Sequence, residues 1–217
     1  MSLISKIRTV FTLGRGVTTG LSEEAAGKDP IALFGRWFED AKRSGILLPE
    51  TMALATSKKD GSPAARMVLL KDFDERGFVF YTNYSSRKAE ELEENSSVAL
   101  LFHWPILERQ VRIQGSAVRV PPNESAAYFE SRSRGSQLGA WASKQSASLP
   151  RRDMLEERFR KYELKFSGAK VPWPEFWGGY RVAPQLIEFW QGRLNRLHDR
   201  VLYETDGDGW KCSRLYP

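Results

Sequence analysis

Glu188-Phe-Trp-Gln-Gly-Arg-Leu-Asn-Arg-Leu-His-Asp-Arg-Val-Leu-Tyr203 reads as two strands that meet at a polar site, because apolar runs flank a segment with three arginines and one of the chain's two histidines. If residues 195–202 are extended, side chains alternate between faces, and Arg196, His198 and Arg200 stand together on one of them. On an isolated strand such a row is ordinarily a solvated edge. Its neighbours decide whether it is something more.

Residues 187–191, 197–204 and 210–215 read as strands. Upstream, residues 52–56, 65–71 and 78–82 are apolar runs separated by Lys-Lys-Asp-Gly and Asp-Glu-Arg-Gly turns, which predicts an antiparallel meander. Residues 98–102 and 109–120 follow as strands, with Gln110, Arg112 and Gln114 on one face of the second and Val111 and Ile113 on the other. Asp29-Pro30 opens a helix that Ser44-Gly45 stops, and Ile31, Phe34, Trp37, Phe38 and Ala41 form its core face. Residues 87–94, 124–131, 136–142 and 151–166 are the other helical stretches. Strands joined by short turns, with helices in separate groups, give a mainly β (α+β) chain built on an antiparallel barrel. A parallel nucleotide-binding sheet does not fit that order.

The 217 residues suit one domain, taken as 28–217, behind a turn-rich N-terminal arm, 1–27, read as flexible. Gly14-x-Gly16-x-x-x-Gly20 misses the dinucleotide fingerprint and has no strand before it. Thirty-three basic against 27 acidic residues leave a net charge of +6, which attracts anions; the charges are mixed along the chain rather than clustered, favouring small phosphates over nucleic acid. The single cysteine, Cys212, excludes an internal disulfide, and the two histidines have no metal-ligand spacing. Lys6 and Arg8 interrupt the apolar opening before a signal peptide or membrane span could form, so the expected setting is cytoplasmic, without membrane or nucleic-acid partners.

Three stretches carry candidate chemistry. Arg66 and Lys71 lie five positions apart, which on a regular strand sends them to opposite faces. Tyr81-Thr-Asn-Tyr-Ser-Ser-Arg87-Lys88 runs from a strand end into a helix N-terminus, where free N–H groups and two cations make a phosphate cradle. Tyr128, Arg132 and Ser136 fall at i, i+4 and i+8, one face of a continued helix and a donor set for a second phosphate, although Gly135 argues for a break. Gln145-Ser146 and Trp190-Gln191 add amides and a flat ring. No Ser-His-Asp order or paired-carboxylate site competes.

Taken together, Arg66-Met-Val-Leu-Leu-Lys71, Tyr81-Thr-Asn with Ser86-Arg-Lys88, Glu108-Arg-Gln-Val111, Tyr128-Phe-x-Ser-Arg132, Ser136-Gln-x-Gly-Ala-Trp141, Phe176-Trp-Gly-Gly179, Glu188-Phe-Trp-Gln-Gly192 and Asn195-Arg-Leu-His-Asp-Arg200 resemble the pyridoxine/pyridoxamine 5'-phosphate oxidases. The resemblance runs from about Asp29 to Pro217. It implies an FMN-binding split β-barrel, a homodimer with FMN at the interface, and oxidation of pyridoxine or pyridoxamine 5'-phosphate to pyridoxal 5'-phosphate by oxygen, with peroxide formed. By matching motif, Arg66, Met67, Val68, Leu69, Leu70, Lys71, Tyr81, Thr82, Arg87, Lys88, Gln110, Gln145, Ser146, Trp190 and Arg200 would hold FMN. Lys71, Tyr128, Arg132, Ser136, Arg196 and His198 would hold the substrate, Arg196 and His198 being the catalytic pair. The inferred chemistry is hydride transfer to the flavin followed by reoxidation, with no general base assigned. Arg8 could supply one N-terminal lid residue of the family, whereas Phe11 stands where a tyrosine is expected. Two rivals are a split-barrel flavin oxidase of phenazine-type biosynthesis and a non-catalytic phosphate-ligand binding module.

Overall fold

The computed structural model describes residues 20–217. Its strands are β1 (Thr51–Ser57), β2 (Pro63–Leu69), β3 (Asp72–Asp74), β4 (Gly77–Asn83), β5 (Ser97–Trp104), β6 (Arg109–Arg119), β7 (Trp177–Gln191), β8 (Asp199–Asp206) and β9 (Gly209–Arg214). All pair antiparallel in the order β2-β1-β5-β6-β7-β4-β3, with β8 and β9 added beside β7. β7 pairs with β6 along nearly its whole length, while its other edge serves β4 from Trp177 to Val182 and β8 from Leu186 to Gln191. The changeover falls at a register shift between Gln114 and Gly115, opposite Pro184. Proline cannot donate to a ladder, so a bulge is where a long strand accommodates one.

Two expectations change here. Residues 52–56, 65–71 and 78–82 are not a meander: β1 and β2 form a hairpin, but β4 pairs with β7, more than ninety residues away, and with the short β3. The return strand begins at Trp177 rather than Ile187, running straight through Gly178-Gly179. Those glycines act through close approach, since a side chain on Gly179 would meet the Tyr81 ring at 2.8 Å.

The sheet curls because the chain changes partners after β2. The Leu70 N–H donates to the Glu50 carbonyl at 2.9 Å on the β1 side, and the next N–H, of Lys71, donates to the Val79 carbonyl at 2.8 Å on β4. Alternation then sends Met52, Leu54, Phe78, Phe80, Val111, Ile113, Phe102 and Val182 inward.

The helices are α1 (Glu23–Ala26), α2 (Pro30–Arg43), α3 (Arg87–Glu94), α4 (Pro122–Ser131), α5 (Arg134–Ala142) and α6 (Arg152–Lys165). The Asp29 carboxylate caps α2, accepting from the N–H groups of Ile31 and Ala32 at 2.8 and 3.1 Å. α2 buries Leu33, Phe34, Trp37, Phe38 and Ala41 in the curl, where the Phe34 ring meets Phe73, Phe78 and Phe102 edge-on at 4.9–5.0 Å. A smaller cluster of Phe129, Leu138, Phe166, Val171 and Trp177 lies under α4 to α6. Of the expected arm, residues 1–19, with Arg8, Phe11 and the Gly14-x-Gly16 pair, lie outside the described residues. Residues 20–27 are tied down: Leu21 is buried and its N–H donates to Asp199 at 3.0 Å, and the Tyr203 hydroxyl donates to the Gly27 carbonyl.

Candidate active site

β2 pairs only with β1, so its other edge offers unpaired backbone N–H and C=O groups. They face a cavity of about 290 Å³ lined by Arg66, Met67, Val68, Leu69, Lys71, Tyr81, Thr82, Lys88, Tyr128, Arg132, Gln145 and Trp177. A run of consecutive β2 residues reaches it because the strand meets the cavity edge-on. Leu70 is the exception, its side chain being packed in the core. Arg66 and Lys71 line the same cavity, against the expectation of opposite faces, because the strand ends at Leu69 and the switch to β4 resets the alternation.

Lys88 Nζ is held by Thr82 Oγ1 at 3.2 Å and Gln145 Oε1 at 3.1 Å, and Thr82 Oγ1 donates to the same amide oxygen at 2.9 Å. These acceptors are neutral. Burial, and after it the charge of Arg66, push the Lys88 pKa down. Like charges gathered round a cavity without a carboxylate in it make a seat for an anion. Ser86 adds to this: it precedes α3 without capping it by its side chain, so the first N–H groups of the helix stay available.

Beneath that seat lies Glu91, a residue the sequence reading passed over. It is 1% exposed, and its carboxylate accepts from Arg66 Nη2 at 2.8 Å, Arg87 Nε at 2.8 Å and Thr56 Oγ1 at 2.5 Å; Arg66 also bonds Thr56. Burial alone would raise its pKa, but the three hydrogen bonds and the charge of Arg66 outweigh it, and the net direction is down. Arg87 and Ser146 line a neighbouring cavity of about 470 Å³ rather than the first. Ser146 stands there at φ 72°, a left-handed conformation rare for serine.

The aromatic wall is a near-parallel pile: Tyr81 lies 3.9 Å from Tyr128 and 5.5 Å from Trp177. Burial, reinforced by Glu124, pushes the Tyr81 hydroxyl up to about 12, so it remains a hydrogen-bond donor at neutral pH. Arg132 lies over Trp177, with its guanidinium carbon 4.5 Å from the ring centre, and its Nη1 is buried without a hydrogen-bond partner. The continuous Tyr128–Arg132–Ser136 helix face is not formed. α4 ends at Ser131, Arg132 is extended at φ −74° and ψ 153°, and α5 restarts behind Ser133. Tyr128 and Arg132 still meet at the cavity, whereas Ser136 is exposed beside Ser133 Oγ at 2.9 Å and lines none of it.

The remaining site residues stand elsewhere. Gln110, Trp190 and Arg200 lie directly opposite one another on β6, β7 and β8, one row on the outer face of the sheet. Glu188, 4% exposed, accepts from Arg200 Nε at 2.7 Å and lies 3.1 Å from Arg112. The three-pronged strand face is overturned: β8 begins only at Asp199, and Leu194–Arg196 is a 3-10 turn in which Asn195 and Arg196 take φ 58° and 62°. Two left-handed residues break the alternation on which the comb depended. His198 instead lies tilted against Trp190, with ring centres 4.5 Å apart, and accepts from the Arg193 N–H through Nδ1 at 3.1 Å, and Arg196 is exposed on the turn.

On the same outer face, two residues further along each strand, Met67, Leu101, Arg112, Glu188 and Leu202 form the next row, with Met67 62% and Leu101 36% exposed. Among the described residues no helix is long and apolar enough to cross a membrane, and no group of His, Cys, Asp and Glu is placed to hold a metal ion.

Comparison with known proteins gives one consistent family. The family model described as pyridoxamine 5'-phosphate oxidase matches residues 38–166, and one described as the pyridoxine 5'-phosphate oxidase C-terminal dimerisation region matches residues 177–217. The chain is 56% identical to a pyridoxine/pyridoxamine 5'-phosphate oxidase of Colwellia psychrerythraea over the full length of both. It is 60% identical to one of Rubrobacter xylanophilus over 91% of each. Among solved structures, PhzG from Burkholderia lata 383, in complex with tetrahydrophenazine-1-carboxylic acid, superposes with a TM-score of 0.85 at 34% identity, covering 89% of this chain and 95% of that one. A pyridoxamine 5'-phosphate oxidase-related, FMN-binding protein of Nostoc punctiforme shares the fold with a TM-score of 0.69 at 17% identity, covering 88% of this chain and all of that one.

Proposed function

The chain belongs to the pyridoxamine 5'-phosphate oxidase family, and from that membership we propose that it is a pyridoxal 5'-phosphate synthase: it holds FMN, oxidises pyridoxine and pyridoxamine 5'-phosphates, and passes the electrons to oxygen. The observation that carries the substrate reading is Arg132, whose Nη1 is buried in reach of the cavity and unpaired. A buried cation without its hydrogen bonds is costly unless a ligand completes them, and an Arg fork suits a phosphate.

The residues present also fit FMN. Arg66 and Lys88 face one cavity without a carboxylate in it, and the free edge of β2 offers backbone donors and acceptors to the rim of a flat ring. When bound, FMN supplies the two-electron acceptor that no side chain provides. The chain's own part is placement. Lys71 and Arg132 hold the substrate phosphate, and Tyr81, Tyr128 and Trp177 wall the cavity against water. His198 accepts at Nδ1, so its neutral ring carries the proton on Nε2 and offers a donor there. Arg196 presents a cation to the substrate from its turn.

The site is assigned to two copies of the chain. About 290 Å³ lies at the foot of the usual range for small-ligand pockets, roughly 300–1,000 Å³, too little to enclose a flavin and a second ring. Gln110, Trp190, Arg196, His198 and Arg200 lie outside that cavity, on or beside a sheet face with Met67 and Leu101 exposed. A homodimer that covers this face brings one copy's row against the other's cavity. The cytoplasmic setting belongs to the same proposal.

A phenazine-type oxidation is the second reading, favoured by the likeness to PhzG. Lys71, Tyr128 and Arg132 weigh against it, being donors that a ring without a phosphate would leave unused. Anaerobic mixing of the FMN-loaded protein with pyridoxine 5'-phosphate tests the choice. Bleaching of the flavin, reversed by air with peroxide formed, is the expected result; a flavin that stays yellow would move the assignment to the phenazine-type reading.

A further inference from the structure

We propose that Glu91 is the positioning residue of the flavin-phosphate seat, an inference that rests on the FMN reading above. Its carboxylate joins two arginines from different elements, Arg66 on β2 and Arg87 on α3, and a hydroxyl, Thr56, on β1. Both carboxylate oxygens are used: Oε1 takes Arg87, and Oε2 takes Arg66 and Thr56. At 1% exposure Glu91 lines none of the first cavity, and at the neighbouring one, which it borders beside Arg87 and Ser146, its carboxylate oxygens are already taken by Arg66, Arg87 and Thr56.

The cost of this arrangement indicates its purpose. A carboxylate buried on the inner face of a short helix must lose its hydration, and a well-packed apolar residue would serve stability at least as well. What an apolar residue could not do is fix two flexible guanidinium side chains at a set angle beside the cavity. Arg66 is thereby held with Nη2 on the acid and Nη1 on Thr56 and the Leu54 carbonyl, which fixes its side chain on the wall it shares with Lys88. Arg87, on the other oxygen, is held at the adjoining cavity beside Ser146. A dianionic phosphate at the start of α3 would then meet cations already in place, so less conformational freedom is lost on binding.

Glu91 has two opposite effects on a phosphate: it orders the arginines, and its own charge repels the anion. Two substitutions separate them. Glu91→Gln removes the charge and keeps one acceptor oxygen, enough for one of the two arginines, since its amide nitrogen only donates; Glu91→Ala removes both charge and acceptors. Affinities of the apo-protein for FMN and for riboflavin, which lacks the phosphate, are read from quenching of flavin fluorescence. The wild-type protein should prefer FMN, Glu91→Gln should retain part of that preference, and Glu91→Ala should lose about tenfold in FMN affinity with riboflavin unchanged. Should the alanine variant fail to fold, Glu91→Asp, which withdraws the carboxylate by one methylene, should lose FMN preference in the same direction. Equal weakening of both flavins in the folded variant would overturn the proposal, as would a preference raised in both Gln and Ala variants, which would leave the acid only a repelling charge. Wild-type protein that binds FMN no better than riboflavin would instead bring down the flavin-phosphate seat itself.

Discussion

The cavity beside β2 and the row across β6, β7 and β8 are built on the same device and differ in what surrounds it. Each has a buried acid holding two arginines, Glu91 with Arg66 and Arg87 in one, Glu188 with Arg200 and Arg112 in the other. Around the first, three stacked rings and two helices make walls. Around the second there is open sheet, with the His198 ring tilted against Trp190. Preformed cations with walls can bind a ligand; preformed cations on an open face can only be pressed against something else. On the two-copy reading proposed above, the two regions are complementary parts rather than two sites.

The sharpest way to break that pairing is subunit mixing. Arg196→Ala should abolish most turnover while FMN is retained, and Arg132→Ala should leave little activity at low substrate concentration. Co-expressed, the two variants should recover about a quarter of the wild-type rate, since half of randomly formed dimers carry one wholly intact site of two. Recovery no greater than the sum of the single variants would place both residues in one chain's site.

Measured alone, Arg132→Ala should cut kcat/KM by about 10- to 100-fold, mostly through KM, as expected for a charged hydrogen bond worth roughly 1.5–3 kcal/mol. A change confined to kcat would remove Arg132 from the phosphate. The next effect is graded with pH. Burial and then Arg66 lower the Lys88 pKa, so its ammonium is lost at lower pH than an ordinary lysine's. FMN affinity should accordingly fall as pH rises, beginning below the usual lysine range, while riboflavin affinity stays level in titrations of the apo-protein. Smallest is Ser136→Ala, expected to leave KM nearly unchanged, because its hydroxyl is exposed beside Ser133 and lines none of the cavity. A loss as large as that of Arg132→Ala would mean that α5 moves to bring Ser136 into the cavity.

What could be read from sequence was what depends on near neighbours. Asp29-Pro30 announces α2 because a cap and a first-turn proline act within four residues, and Val111 and Ile113 announce the inner face of β6 because the pleat alternates regardless of partners. The misreadings each have a nonlocal or conformational cause. β4 leaves its neighbours for β7, a choice made by packing in the finished barrel. The left-handed pair Asn195-Arg196 undid a face argument that assumed extended backbone. Lys71 returned to the side of Arg66 because one peptide unit changes strands. Glu91 was visible as an acid four residues after Arg87, the spacing of an ordinary surface pair; its burial and its bond to Arg66 depend on β1 and β2 arriving beneath it.

The length of β7 has a further consequence. Trp177 at its start belongs to the cavity and Trp190 near its end to the outer row. Thirteen steps at about 3.3 Å each set them roughly 40 Å apart along the strand, less whatever the bend at Pro184 takes back. A single β-strand thus acts as a spacer bar, keeping the cavity and the outer row farther apart within one molecule than any side chain can reach. Deleting one residue from it would turn every later side chain to the wrong face, so its length is as much a part of the catalyst as any residue that touches the substrate.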